Sequence, residues 1–296
     1  MMKKLFFAAI AAMCACSAQA RKWGGPMVTG PDPAGRDKID AIIRDWKPAD
    51  AAKPRRVLVC DICAGYRHGD AIGYARYALM RANGRACTFD YAQDMDELTS
   101  PETLARYDAI LFNCQTATKV KSFPGLENAL LDFVSAGKGL CLVHAAVDSF
   151  YDSPAIQRMN GGLFWGHPWN AGGTWRFVNE KPDDPVNAPF KPLGSPYLVS
   201  DEIYMQCTPP YNRADLRVLH SIDLSHEPSA KALANWKGAK RTDGDFAVSW
   251  VKTFGKGRVF YTSYGHDRRT WLDPVRVQFI LNGLQFAIGD LANPVD

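Results

Sequence analysis

Three short stretches place imidazoles and carboxylates directly after apolar runs: Ala64-Gly65-Tyr66-Arg67-His68, His144-Ala145-Ala146-Val147-Asp148 and Tyr264-Gly265-His266-Asp267. A fourth, Gly161-Gly162-Leu163-Phe164-Trp165-Gly166-His167-Pro168, reads as a glycine-rich loop carrying another histidine. Asp201-Glu202-Ile203-Tyr204 adds paired acids followed by an aromatic. Four of the six histidines lie in these segments; His220 and His226 do not. A lone loop histidine usually serves a surface or hydrogen-bonding role, so it is the convergence of several that points to chemistry. Imidazole exchanges a proton near neutral pH and suits general acid or base work. It also ligates divalent metals, with Asp148 as a carboxylate partner. Without an HExxH or comparable signature, a bound divalent metal and metal-free acid–base chemistry both stay open. For the acids at 201–202, a solvated strand edge and an acid/base or sugar-hydroxyl role are equally open.

Nucleophilic chemistry finds less support. The chain has no G-x-S-x-G elbow. Cys141 lies inside an apolar run, three residues short of the turn where an exposed nucleophile would sit, and His144 takes that turn instead. Cys60-Asp61-Ile62-Cys63 spells C-x-x-C, yet Val57-Leu58-Val59-Cys60 reads as a strand. Residues three apart on a strand point to opposite faces, so buried strand cysteines fit better than a redox pair.

The elements that must carry these segments alternate. Strands are expected at Arg56–Ile62, Ala86–Tyr91, Tyr107–Asn113 and Gly139–His144, with helices at Asp70–Asn83 and Pro124–Ala136. Strands apolar on both faces and separated by helices indicate a mostly parallel sheet with helices on both faces. Ligands of such sheets bind beyond the strand carboxyl ends, where the winding reverses. The second half is less regular, with strands expected at Gly173–Asn179, Leu216–Ile222, Phe246–Lys252 and Arg258–Thr262 and a closing helix at Asp273–Ile288. If the strands carrying these segments are parallel neighbours, His68, His144, Asp148 and His266 reach one edge of the sheet.

Residues 1–20 read as a signal peptide: Lys3-Lys4, an apolar stretch from Leu5 to Met13, and Ala18-Gln19-Ala20 before a cleavage point at Arg21. Export to the periplasm is expected, and a lipoprotein anchored at Cys16 is the less favoured alternative. The apolar run is too short for a stable membrane span. Residues 21–54, rich in Pro, Gly and charge with a short helix near Asp37–Trp46, form an N-terminal extension, and residues 55–290 one α/β domain. Removing Lys3 and Lys4 from a formal charge of +4 leaves the chain near neutral, without a basic run, so nucleic acid is not an expected partner. Eight Trp and eleven Tyr exceed what a core needs; flat aromatics often line sugar-binding surfaces, although most of these are expected to be structural.

Taken as an ordered set, Gly65-Tyr66-Arg67-His68, His144-Ala145-Ala146 with Asp148, Gly161-Gly162-x-Phe164-x-Gly166-His167-Pro168, Asp201-Glu202-x-Tyr204 and Gly257-Arg258-Val259-Phe260-Tyr261-Thr262 followed by Gly265-His266 resemble the ThuA-like (trehalose-utilisation) family. The resemblance runs from about Arg55 to Ala287. It implies a flavodoxin-like, doubly wound sheet similar to that of class I glutamine amidotransferases, and a role in carbohydrate metabolism beside enzymes that make 3-keto sugars. It also implies no glutaminase activity, because His144 stands where the amidotransferases carry their nucleophilic Cys. Val147 departs from the Thr or Ser common in the family. The expected activity is that of a carbohydrate-active lyase, hydrolase or isomerase, with a non-catalytic sugar-binding protein as the alternative. His144, His266, His167, Asp148 and Glu202 are the candidate catalytic groups. Tyr66, Arg67, His68 and Gln115, with Trp165, Asp201, Tyr204 and Tyr264, are the residues expected to hold a small-molecule carbohydrate.

Overall fold

A computed structural model describes residues 26–292; the leader expected at 1–20 lies outside the described residues. The chain begins with α1 (Pro33–Asp45), whose first turn is held by the Asp32 carboxylate accepting from Gly35 N at 2.7 Å. Next come β1 (Arg56–Cys60), α2 (Gly69–Ala82), β2 (Thr88–Tyr91), α3 (Pro101–Leu104), β3 (Ala109–Asn113), α4 (Leu126–Ser135) and β4 (Gly139–Val143). The second half holds α5 (Pro154–Asn160), β5 (Phe164–Trp169), β6 (Trp175–Asn179), β7 (Tyr197–Val199), β8 (Ile203–Gln206), β9 (Arg217–Ile222) and α6 (Glu227–Asn235). It ends with β10 (Ala247–Phe254), β11 (Gly257–Thr262), α7 (Arg268–Trp271) and α8 (Pro274–Ile288).

Nine strands form one sheet in the order β2-β1-β3-β4-β11-β10-β9-β6-β7. The first five are mutually parallel, and β10, β9, β6 and β7 continue the sheet antiparallel. The parallel part has the flavodoxin-type order, with β11 as the fifth strand, and the winding reverses between β1 and β3. Alternate side chains feed two cores. Val57, Val59, Leu111, Cys141 and Phe260 pack with α1, α2 and α8 on one face. Leu58, Ile110, Phe112, Leu142 and Tyr261 pack with α4 and α5 on the other. Each fully buried Val or Leu contributes about 1.5–3 kcal/mol, and so the strands are apolar on both sides.

The segment before β1 lies on the domain through α2 and α8. Gly69 and Gly73 of α2 both require a glycine, since a Cβ would sit 2.2 Å from the Met27 and Thr29 carbonyls respectively. Trp46 Nε1 donates to Asn282 Oδ1 at 3.2 Å, tying α1 to α8. No helix among the described residues is long and apolar enough to cross a membrane.

Three local expectations change. Residues 161–168 are not wholly a loop, because β5 begins at Phe164 and pairs with β8 in a separate two-stranded sheet. The Asp201-Glu202 pair leads into that same β8, whose four residues are all buried. Helices α5 and α6, each under ten residues and started by proline or a residue before it, were too short to stand out by periodicity.

Candidate functional site

Four parallel strands deliver their following turns to one edge of the sheet. β1 leads to His68, β3 to Gln115, β4 to His144 and β11 to His266. The β5–β8 ribbon closes over this edge and adds His167 and Glu202. His144 departs from β4 with φ +52°, a left-handed conformation that costs a non-glycine residue of order 1 kcal/mol or more and clusters at functional turns. Cys114, at the equivalent turn after β3, has φ +53°.

The rings of His68, His144 and His266 pack edge-on around one space. Their centroids lie 4.8 Å (His68–His144), 5.1 Å (His68–His266) and 5.4 Å (His144–His266) apart. Nδ1 of the fully buried His144 lies 2.7 Å from the Ser263 carbonyl oxygen. A carbonyl only accepts, so Nδ1 carries the proton and Nε2 turns a lone pair inward. That Nε2 has no hydrogen-bond partner among the described residues. Glu202 sits in the middle, 3.9 Å from His144 Nε2, 3.7 Å from His266 Nε2 and 3.6 Å from His167 Nδ1. On its far side, His266 Nδ1 is 3.5 Å from Asp267.

Burial lowers the proton affinity of His144 well below that of a free imidazole, and the neighbouring His68 and His266 lower it further. Burial, followed by His266 and His167, pushes His68 down to about 3. Both rings are neutral at physiological pH. His266 goes the other way: burial opposes its charge, but Asp267 and Glu202 outweigh it and raise its proton affinity. Burial raises the Glu202 carboxyl, against the pull of His266 and His167. It also raises Asp148, against the hydrogen bond at 2.6 Å from the Tyr151 hydroxyl. The site therefore pairs neutral, lone-pair-bearing imidazoles with one imidazole poised to hold a proton. His68, His144 and Glu202 each offer a ligand atom, all within 4.8 Å of one another, and are the group that could hold a metal.

The Tyr204 ring lies 4.4 Å from that of His144, tilted by 38°, and the 58% exposed Tyr66 lies 4.9 Å from His68. Trp165 is half-exposed on β5. Arg67 is buried, its Nη1 donating to the Pro26 carbonyl at 3.4 Å. Three of the residues expected to hold substrate are engaged elsewhere. The Asp201 carboxylate is buried and accepts from Thr270 Oγ1 (2.6 Å), Gly265 N (3.1 Å) and Arg276 Nη1 (3.3 Å), so it braces the His266 turn. The Tyr264 hydroxyl is spent on Tyr197 at 2.9 Å within the core. Gln115 is buried and its amide donates to the Thr118 hydroxyl.

Four contributors escaped the sequence reading. Asp267 and Tyr151 were visible as neighbours of His266 and Asp148 at one and three positions. The Ser263 carbonyl carries no side-chain signal. Trp236, 5.4 Å from His167, arrives from a distant irregular segment. None of the six described cysteines is in a disulfide. Burial raises the thiols of Cys114 and Cys141, which suits neither as a nucleophile.

The ThuA (trehalose utilisation) family model matches residues 56–287. The chain belongs to the ThuA family. A ThuA-like protein from Bacteroides uniformis shares the fold at 19% identity and a TM-score of 0.60, over 81% of this chain and 95% of that one. A ThuA-like protein from Parabacteroides merdae does so at 15% and 0.56, over 80% and 91%. A cytoplasmic protein from Salmonella typhimurium does so at 12% and 0.51, over 79% and 98%. No curated protein matches the chain. Membership of the ThuA family suggests a carbohydrate-related role.

Proposed function

We propose that this ThuA-family protein is an exported enzyme that processes a sugar or 3-keto-glycoside in the periplasm. The leader pattern at residues 1–20 supports export, and the family supports a carbohydrate substrate. One observation carries the chemistry: His266 lies between two carboxylates, Glu202 and Asp267, with its ring edge-on to that of His144 at 5.4 Å. Such a flanked imidazole takes up and returns a proton at neutral pH.

A 3-keto-glycoside has an acidified hydrogen on C2, beside the carbonyl. His266 takes that proton, and the electron pair of the C–H bond passes into the carbonyl as an enolate. Collapse of the enolate expels the C1 substituent, with the C1–O bond breaking and its oxygen taking a proton from an acid. In this reading Asp148, its carboxyl raised by burial and hydrogen-bonded by Tyr151, makes that donation, with His167 assisting. Protonation of the enolate at C2 on the opposite face by a second acid, with the abstracted proton left on His266, instead inverts that centre and gives isomerisation. No thiol takes part, in keeping with His144 at the turn after β4.

The test is turnover of a panel of keto-glycosides, with products followed by mass spectrometry. Wild-type protein should release the aglycone or an isomer, and His144→Ala and His266→Ala should each abolish it. Tight sugar binding by calorimetry with no product would replace this reading with a non-catalytic sugar-binding protein.

A further inference from the structure

Two acceptors face each other in the space between the rings. His144 has given its only proton to Ser263, so its Nε2 offers a lone pair. Glu202 turns its carboxylate toward that lone pair at 3.9 Å, beyond hydrogen-bond reach. Every ion pair that Glu202 makes among the described residues is to a histidine, none to a permanently charged side chain. A buried lone pair facing a largely buried carboxylate is costly unless a positive group lies between them.

We propose that His68, His144 and Glu202 bind a late first-row divalent cation, of which zinc is the representative, with His266 and His167 beside its open positions. Two imidazoles and one carboxylate form a three-protein-ligand set that leaves a coordination position for substrate. Ligands on a tetrahedral ion with bonds of ~2.0–2.1 Å stand roughly 3.4 Å apart. The 3.9 Å gap between His144 and Glu202 therefore closes by about half an ångström, and the widest separation in the set, up to 4.8 Å, by at most about 1.4 Å, within reach of a side-chain rotation. The outer contacts are in place as well. The Ser263 carbonyl fixes the tautomer and orientation of His144, as outer-shell acceptors do for metal-bound histidines. The left-handed turn at His144 aims the ring inward. This inference deepens the keto-sugar reading by naming what polarises the carbonyl, and it rests on that reading only for the role of the ion.

The test is calorimetric titration of the chelator-treated full chain with zinc chloride, alongside the visible spectrum with cobalt(II). Wild-type protein should take up one ion per chain, gain thermal stability with zinc, and show the intense absorption of low-coordinate cobalt. Glu202→Gln and His144→Ala should weaken binding by more than the ~10–100-fold that loss of an outer-shell partner costs. His226→Ala, on a histidine bonded to Ser229 away from the site, should bind like wild type. Glu202→Gln keeps the side-chain shape, so it decides the matter should His144→Ala fail to fold. No ion on wild-type protein, or undiminished binding by Glu202→Gln, overturns the site. Zinc bound at this site with no keto-glycoside turned over would sink the proposed activity and leave the site standing.

Discussion

His220 lies outside the site and gives the sharpest test of the core chemistry. It is fully buried on β9 among Phe190 (4.4 Å), Phe279 (4.9 Å) and Tyr197 (5.6 Å), and neither ring nitrogen has a hydrogen-bond partner among the described residues. Burial alone pushes it down to about 3 from an ordinary 6.5. Between those two values the unfolded chain binds a proton that the folded chain refuses, so stability falls as pH drops through that window. Above pH 6.5 both states are neutral and the effect vanishes. At pH 5 the unfolded state gains about 2 kcal/mol, from roughly 1.5 pH units at 1.36 kcal/mol each. His220→Leu removes the titration and keeps an apolar side chain among the aromatic rings. Urea unfolding at pH 7.5 and pH 5 should show the variant gaining about 2 kcal/mol on wild type as the pH falls, whatever their difference at pH 7.5. A difference that stays flat between the two pH values would refute a neutral, unpartnered His220.

Two further substitutions separate scaffold from site. Asp201→Ala strands the buried Arg276 and the Thr270 hydroxyl, and should cost about 3–5 kcal/mol in urea unfolding; a loss below about 1 kcal/mol would show that the carboxylate does not brace the His266 turn. Tyr66→Ala removes an exposed ring beside His68 and should weaken sugar binding about fivefold by calorimetry, matching the ~1 kcal/mol of an aromatic contact. Unchanged affinity would exclude Tyr66 from the sugar-binding surface.

The parallel half was legible because the physics there is local. Val57-Leu58-Val59 and Leu140-Cys141-Leu142-Val143 are apolar on both faces, which only a doubly covered sheet satisfies, and the histidines follow directly. The antiparallel half was less legible. β5 and β8 are short and irregular in register, and β8 is buried on both sides, so their sequences show no clean alternation. The site residues divide the same way. His144 could be placed by its position after β4. Which acid faces the site could not, because Asp201 and Glu202 are adjacent and only the geometry of β8 turns Glu202 toward the rings while Thr270 and Arg276 claim Asp201. Trp236 reaches His167 through tertiary packing that no local pattern encodes.

The central claim is that the crevice around His144, His266 and Glu202 transforms a sugar. Its most direct test is the mass-spectrometric product profile of wild-type protein, His266→Ala and His144→Ala on the same keto-glycoside panel. The proposed activity predicts an eliminated or isomerised product from wild type and none from either variant. Turnover that survives both substitutions would contradict it.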